Sequence, residues 1–419
     1  MCENASSTCL PPDLLDGIAV FIDDEVDKKD TEANKLKQQI EGKNIPLILR
    51  DKIPNSINDF VKHLYGVSFI ILDWKFLSSQ SEPEQIAAGV HIPEDVRTGA
   101  TIEFLEQLLK ATYCPIFIIS QESVTSIQSE LNKQQITKDG MHPRIFIHGK
   151  KELSNGQLFS KLNEWIEKRS VTYVLKTWEK AARKAKLWMF TNLENKHSCW
   201  PRVLWKTFGD DHTNQSNALS ETICNIFSNN LIANTYFESE KIKSGDEICS
   251  VDVRSVLEAE RFMTVSEEMS PAPGDIFKTE NEGYYLLNIR AQCNLLHIQN
   301  PDLYCVRGTI LDESKIQKTT IADSQNNDKI LFFRGQLHGH EDIVYIPFIL
   351  EGKILGLDFK QFKIKSYNTV KSQRVGRLLP PFITKVQQLF SSYMIREGLP
   401  AIPDEAIFSG TTTTEPAGE

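Results

Sequence analysis

No two of the chain's eight cysteines are spaced as CxxC, so neither a zinc ribbon nor a disulfide framework is indicated, and scattered reduced thiols are expected. No apolar run approaches the roughly eighteen residues of a bilayer span, and the N-terminus lacks the basic region and apolar core of a secretory signal. The expectation is a cytoplasmic protein with no membrane partner. Also missing are a P-loop, a Gly-x-Ser-x-Gly elbow and any kinase, cyclase or phosphodiesterase signature, so no enzymatic output is expected. An excess of positive charge is lacking too. The 47 basic and 56 acidic residues leave a net charge of −9, which argues against a protein that works by gripping nucleic acid.

What is present is a chain of 419 residues, 40% apolar, long enough to bury more than one core. Its charge is unevenly spread: net −6 over 1–169, +5 over 170–205 and −8 over 206–419. The first of these regions repeats a short apolar run followed by a polar, helix-like stretch. The runs are 17–22 (GIAVFI), 45–49 (IPLIL), 67–72 (VSFIIL), 115–119 (PIFII) and 143–147 (PRIFI), with helices expected near 31–42, 55–65, 98–112, 121–135 and 157–168. Uninterrupted apolar strands alternating with helices specify an α/β fold, here a flavodoxin-like, doubly wound five-stranded parallel sheet.

In such a sheet ligands gather beyond the carboxyl ends of the strands. Here those ends are chemically loaded: Asp23, Asp24 and Glu25 follow the first run, Asp73 the third, Ser120 the fourth, and Gly149, Lys150 and Lys151 the fifth. In the strand order 2-1-3-4-5 these groups converge. Carboxylates crowded at one edge repel, and a divalent cation relieves the repulsion; oxygen-only ligands favour magnesium. Magnesium on Asp23, Asp24 and Asp73 would offset the charge of an approaching phosphoryl group, Lys150 would pair with one phosphoryl oxygen, and Ser120 would hydrogen-bond another. Asp73 is then the nucleophile of an acyl phosphate.

With this succession of acid pair, acid, hydroxyl and lysine, the first 150 residues resemble a CheY-like receiver domain of a two-component response regulator. The resemblance implies a phosphoryl group taken from a histidine kinase's phosphohistidine, with magnesium as obligatory cofactor and the backbone carbonyl of Lys75 as a further metal ligand. Three features depart from that pattern. The segment between Asp73 and Thr98 is long and polar (Ser78, Ser79, Gln80, Ser81, Glu82, Pro83), as a lid would be. No proline follows Lys150, so Lys151 competes for the lysine's role. Phe146, Ile147 and His148 all remain candidates for the aromatic switch of the fifth strand.

Beyond the receiver, expected over 1–169, a helical segment is read over 170–265. Its positions 171, 174, 178, 181, 185 and 188 form a short heptad seam, the possible contact of a homodimer, while Lys176, Lys180, Arg183, Lys184 and Lys186 read as a solvated basic face. Five tryptophans within 165–205 suggest a packed junction. The turn cluster 271–275 (PAPGD) reads as a boundary, and short strands beyond it suggest a β-rich, barrel-like C-terminal domain over 266–408, closed by a helix near 381–396 and followed by a disordered tail, 409–419. The loop from His338 through His340 and Glu341 to Asp342, and the group Arg290, Cys293 and Arg307, carry reactive side chains but read as structural.

No DNA-binding helix-turn-helix is discernible. The stretch 377–407 resembles the end of a group of bacterial receiver proteins that accompany histidine kinases in anti-phage defence. Two functions are therefore weighed: a regulator whose C-terminal module binds a downstream protein partner, and a phosphoryl sink that competes with another regulator for the same kinase.

Overall fold

A computed structural model describes residues 14–54, 56–74, 94–138, 141–210, 214–243, 248–279, 283–296, 300–318, 330–338 and 342–396. Residues 75–93, which include Lys75 and most of the segment read as a lid, and the tail 409–419 lie outside the described residues, as do Gly339, His340 and Glu341. The chain divides into two compact units: Met1–Arg202 with Ser220–Asp246, and Val203–Leu219 with Glu247–Glu419. The helical stretch expected to stand alone over 170–265 is thus shared between them. Its return segment is tied to the first unit: the Tyr173 hydroxyl accepts the Glu238 N–H at 3.0 Å, and Lys241 pairs with Glu167 at 3.0 Å.

The first unit runs β1 (Ile18–Ile22), α1 (Glu32–Glu41), β2 (Leu47–Arg50), α2 (Ile57–Val61), β3 (Val67–Leu72), α3 (Glu94–Ala111), β4 (Ile116–Ser120), α4 (Val124–Lys133), β5 (Ile145–Gly149), α5 (Lys150–Leu153), α6 (Leu158–Glu167) and the long α7 (Ser170–Lys196). Its strands pair in parallel in the order β2-β1-β3-β4-β5. Alternate residues feed two cores, as a sheet covered on both faces requires. Val20, Ile22, Ile70, Leu72 and Ile118 pack on Phe104 and Leu108 of α3 and Leu131 of α4. Phe21, Phe69, Phe117 and Ile119 pack on Leu36 and Ile40 of α1 and Leu162 and Ile166 of α6. Truncating one of these buried phenylalanines would cost about 3–5 kcal/mol, so apolar packing fixes the sheet to which the polar strand ends are attached.

β5 begins two residues later than the run 143–147 suggests. Just before it, the Arg144 guanidinium donates to the carbonyls of Thr112 at 2.6 Å and Leu109 at 3.0 Å, capping the end of α3, and lies over Tyr113 at 4.4 Å. The Arg144 carbonyl still accepts the Ile116 N–H at 2.8 Å, so hydrogen bonding to β4 reaches one residue before β5.

The basic face of α7 is not simply solvated. At the amino-terminal edge of the sheet, backbone carbonyls lack ladder partners, and α7 supplies donors to them. The fully buried Lys176 ammonium donates to the Ser68 carbonyl at 2.8 Å and the Ser68 hydroxyl at 2.9 Å, with Glu179 at 2.7 Å. Arg183 donates to the Asp16 carbonyl at 2.7 Å, and Thr172 to that of Pro143 at 2.5 Å. Of the seam, Ala181 and Ala185 are buried, whereas Val171, Val174, Trp178 and Trp188 are exposed. Lys176→Met, which leaves the Ser68 carbonyl unpartnered, is expected to lower stability by about 1–3 kcal/mol, and Lys184→Met at an exposed position of the same helix by less than about 0.5 kcal/mol. Thermal unfolding of the two variants checks the difference.

In the second unit, α8 (Trp200–Asp210) and α9 (Gln215–Asn234), both of which the division cuts, and α10 (Ser239–Lys243) of the first unit precede α11 (Ser250–Arg261). β6 (Phe262–Met263), β7 (Asp275–Lys278), β8 (Tyr285–Asn288), α12 (Cys293–Leu296), β9 (Asp302–Ile310), β10 (Ile316–Lys318), β11 (Ile330–Phe333), β12 (Gln336–His338), β13 (Ile343–Ile349), β14 (Lys353–Ser366), α13 (Tyr367–Val370), β15 (Arg374–Leu378) and α14 (Phe382–Met394) follow. Seven of these strands form a curled antiparallel sheet in the order β13-β14-β9-β8-β7-β15-β6, and β10, β11 and β12 a small sheet beside it. β14 pairs with β9 along most of its length, with a register shift between Asp358 and Phe362.

The cluster 271–275 lies inside this unit and leads directly into β7. Gly274, at φ 90°, passes so close to Leu378 that a Cβ would stand 2.1 Å from its carbonyl oxygen. Asp275 is fully buried and pairs with Arg374 at 3.2 Å and Arg377 at 2.6 Å. Elsewhere Asp342 pairs with Lys360 at 2.5 Å and Arg396 at 2.6 Å, while Arg290 and Arg307 stack on Tyr304 at 4.8 Å and Tyr284 at 4.4 Å. Among the described residues, no helix is long and apolar enough to cross a membrane.

Candidate functional site

The carboxyl edge of the five-stranded sheet brings three acids and one lysine together. Ladder hydrogen bonding continues one residue past the strands: Asp23 N–H donates to the Arg50 carbonyl at 2.9 Å, and Asp73 N–H to that of Ile22 at 3.0 Å. Asp73 therefore stands beside Asp23 because β1 and β3 are neighbours in register, Ile22 opposite Leu72. The Asp23 Oδ1 atom accepts the Glu25 N–H at 2.9 Å, closing a turn that fixes its carboxylate. The loop beyond is held by Thr31, whose hydroxyl donates to the Glu25 and Lys28 carbonyls at 2.9 Å each and accepts the N–H of Asn34 in α1 at 3.1 Å.

Lys150 enters from β5. Its Nζ donates to Asp23 Oδ2 at 2.7 Å and Asp73 Oδ2 at 2.9 Å, and its side chain is 1% exposed. Lys151 is exposed. The choice between the two follows from where the strand ends: Gly149 closes β5 and Lys150 opens α5, so the first lysine points back over the sheet edge. Gln39 of α1 seats this short helix, donating to the Leu153 carbonyl at 2.9 Å and accepting the Leu158 N–H at 3.2 Å. Neither Gln39 nor Thr101, whose hydroxyl donates to the Trp74 carbonyl at 3.3 Å, is singled out by sequence spacing. Each acts across a long chain separation and carries no local signature.

Asp23, Asp24 and Asp73 each offer a carboxylate oxygen, and these atoms lie within 4.8 Å of one another. Ser120, at the end of β4, is buried, and its hydroxyl accepts the Glu122 N–H at 3.4 Å. Lys75 lies outside the described residues, so the carbonyl ligand expected there has no place in this description. The three switch candidates divide between faces. Ile147 packs on the core beneath α3 and α4, while Phe146 packs on the opposite core against Phe117 and Trp165 and stacks on His148 at 5.4 Å.

The charges do not balance. Burial raises the Asp23 carboxyl to about 6, the nearby Asp73 charge adding to the effect and Lys150 only partly opposing it. Asp24 is also raised, first by burial, with Asp73 and Glu25 contributing against Lys28. Burial alone would depress the Lys150 ammonium, yet Asp73 and Asp23 together hold it above its ordinary value. Among the described residues, Lys150 is the cation hydrogen-bonded to this group of three carboxylates, and the cluster of oxygen donors fits a divalent cation.

No family model matches this sequence, and no curated protein does. Among solved structures, the chain is similar to a de novo designed Rossmann 2x3 fold protein determined by solution NMR, with 15% identity over 35% of this chain and 90% of the designed one and a TM-score of 0.21.

Proposed function

We propose that the first unit is a phosphoacceptor of the receiver type, in which Asp73 accepts a phosphoryl group from a histidine kinase's phosphohistidine in a magnesium-dependent reaction, and that this event regulates a partner-binding module in the second unit. The observation that carries the reading is the buried Lys150 ammonium bridging Asp23 and Asp73 at the point where three carboxylates converge. Asp23, Asp24 and Asp73 are the residues that would hold magnesium, which when bound would offset the negative charge of an incoming phosphoryl group.

The chain's own residues supply the rest. An Asp73 carboxylate oxygen attacks phosphorus and forms the acyl phosphate; the bond from phosphorus to the donor's imidazole nitrogen breaks, and that nitrogen keeps the electron pair. Lys150 already sits on Asp73 and is positioned to pair with a phosphoryl oxygen, in the charge-assisted geometry that ammonium groups offer phosphates. The Ser120 hydroxyl is a second donor at the same edge. In this reading the chain catalyses only its own phosphorylation and dephosphorylation.

The raised Asp23 carboxyl supplies a test in the absence of any kinase. Its folded-state value of about 6 lies above the 3.8 of an unperturbed aspartate, so the fold binds the proton more tightly than the unfolded chain does. The stabilising contribution is present below pH 4 and is lost as pH rises towards 6; at pH 7 the ionised group weakens the metal-free fold by up to about 3 kcal/mol. Asp23→Asn is accordingly expected to raise the Tm of the chelator-treated protein at pH 7, with little gain at pH 4, while reducing the stabilisation that added magnesium gives. An Asp23→Asn protein less stable than wild type at pH 7 without metal would contradict the electrostatic reading.

A further inference from the structure

The second unit contains a cavity that the phosphoacceptor site does not use. It is walled by α11, β13, the small β10-β11-β12 sheet and the closing helix α14, and has a volume of about 620 Å³. That lies within the roughly 300–1,000 Å³ of small-molecule sites. Its walls are mainly apolar, with Ile316, Phe332, Leu337, Ile346, Val386 and Leu389 among them.

Three cationic side chains also border it, and they are not equivalent. Arg254 is engaged in a bidentate pair with Glu313, both contacts at 2.9 Å. Arg261 lies against two rings, its guanidinium 5.6 Å from the centre of Phe348 and 5.1 Å from that of Phe382. One terminal nitrogen donates to the Pro347 carbonyl at 2.8 Å; the Nε is buried without a hydrogen bond, and the nearest carboxylate, Glu260, is 3.6 Å away. Lys385 on α14 is exposed beside the same cavity.

The backbone is strained to build this wall. β13 is bulged between Ile346 and Ile349, and Phe348 lies at φ 58°, a conformation that a bulky residue adopts only under constraint. The result is a phenyl ring 5.4 Å from Arg254 and 5.6 Å from Arg261. Glu258 of α11 holds the neighbouring turn, accepting the backbone N–H groups of Glu351 at 2.8 Å and Gly352 at 2.9 Å.

We propose that this cavity binds a small amphipathic organic anion, with its apolar body against the Phe332 and Val386 walls and its carboxylate, sulfonate or phosphate group on Arg261, assisted by Lys385. The chemistry selects the class. A neutral apolar ligand would cover the guanidinium without satisfying it, an inorganic anion would leave the apolar walls wetted, and a cation would meet Arg261 and Lys385 with only Glu313, already paired with Arg254, to oppose them. Rings over the guanidinium restrain its rotation, so the charge is held at the cavity wall before the ligand arrives.

The test titrates the full chain with anilinonaphthalene sulfonate, followed by fluorescence, and in parallel with the uncharged N-phenylnaphthylamine. One saturable site is expected for the sulfonate, with at least tenfold weaker binding of the neutral probe. Leu389→Trp, which fills the cavity, and Arg261→Gln, which removes the charge, should each weaken the sulfonate at least tenfold, and dodecanoate should displace it. Circular dichroism identifies a variant that fails to fold, and Lys385→Gln, at an exposed position, then supplies the charge test with a smaller loss. Sulfonate binding unchanged in both Leu389→Trp and Lys385→Gln, or equal binding of the neutral probe, would overturn the proposal. Asp73→Asn should leave this binding intact, which separates it from the fate of the phosphoacceptor reading.

Discussion

Asp73→Asn is expected to reduce phosphoryl uptake from acetyl phosphate to background while leaving the fold in place. Asp73 is 5% exposed just past the end of β3, where its backbone N–H completes the ladder to β1, and an amide of the same shape keeps that hydrogen bond. What the amide lacks is the nucleophilic oxygen that forms the acyl phosphate. It also removes one of the three negative charges of the cluster, so weaker magnesium binding should accompany the loss. Chelating the metal in the wild-type protein should give the same loss of label. Label retained by Asp73→Asn would place the chemistry on another group.

The second large effect is expected of Lys150→Met, this time in stability as well as uptake. Removing one partner of a buried ion pair typically costs about 3–5 kcal/mol because the remaining charge is stranded. Here two carboxylates would be stranded side by side, Asp23 fully buried and Asp73 nearly so. The loss should be larger at pH 7 than in mild acid, because without Lys150 to oppose it burial holds the Asp23 carboxyl higher still and the group takes up a proton more readily. Added magnesium should recover part of it. Lys151→Met, at the exposed neighbour, should stay within about 0.5 kcal/mol of wild type. Equal effects of the two substitutions, measured by thermal unfolding, would mean that the bridging geometry of Lys150 has no energetic weight.

Much of the first unit was legible because its central strands β1, β3 and β4 are buried on both faces. The run 67–72, for example, is apolar apart from Ser68, and all six residues of β3 are buried. The site was legible for the same reason: parallel strands end at one edge, so the residue that closes each run is placed by topology alone. The choice between Lys150 and Lys151 was not legible, because it depends on where β5 ends, and the strand runs two residues beyond the apolar run, through His148 and Gly149.

The long helix was misjudged in an instructive way. A lysine at a helical surface position ordinarily faces water, yet Lys176 is fully buried because the sheet's amino-terminal edge offers it the Ser68 carbonyl and hydroxyl. Sequence periodicity records which side chains are apolar, not which carbonyls need donors. The return of 220–246 to the first unit was hidden too, since it rests on single contacts such as Glu238 with Tyr173. This changes how a regulator is to be distinguished from a phosphoryl sink. A truncation at residue 206 would cut into the first unit, whereas removing 248–419 spares 220–246. A sink should keep its biological effect after that deletion, and a regulator should lose it.

In the second unit, strand existence was readable but pairing was not. β14 changes its register against β9 between Asp358 and Phe362, and β7 and β15 are four and five residues long, too short for an alternating pattern to announce them.

Borohydride reduces an aspartyl acyl phosphate to homoserine, which makes the central claim directly readable. The full chain is incubated with magnesium and acetyl phosphate, reduced, digested and sequenced by mass spectrometry. Homoserine is expected at position 73, in samples containing magnesium and not in those treated with chelator. Its absence there, or its appearance at another aspartate, would contradict the assignment of Asp73 as the phosphoacceptor.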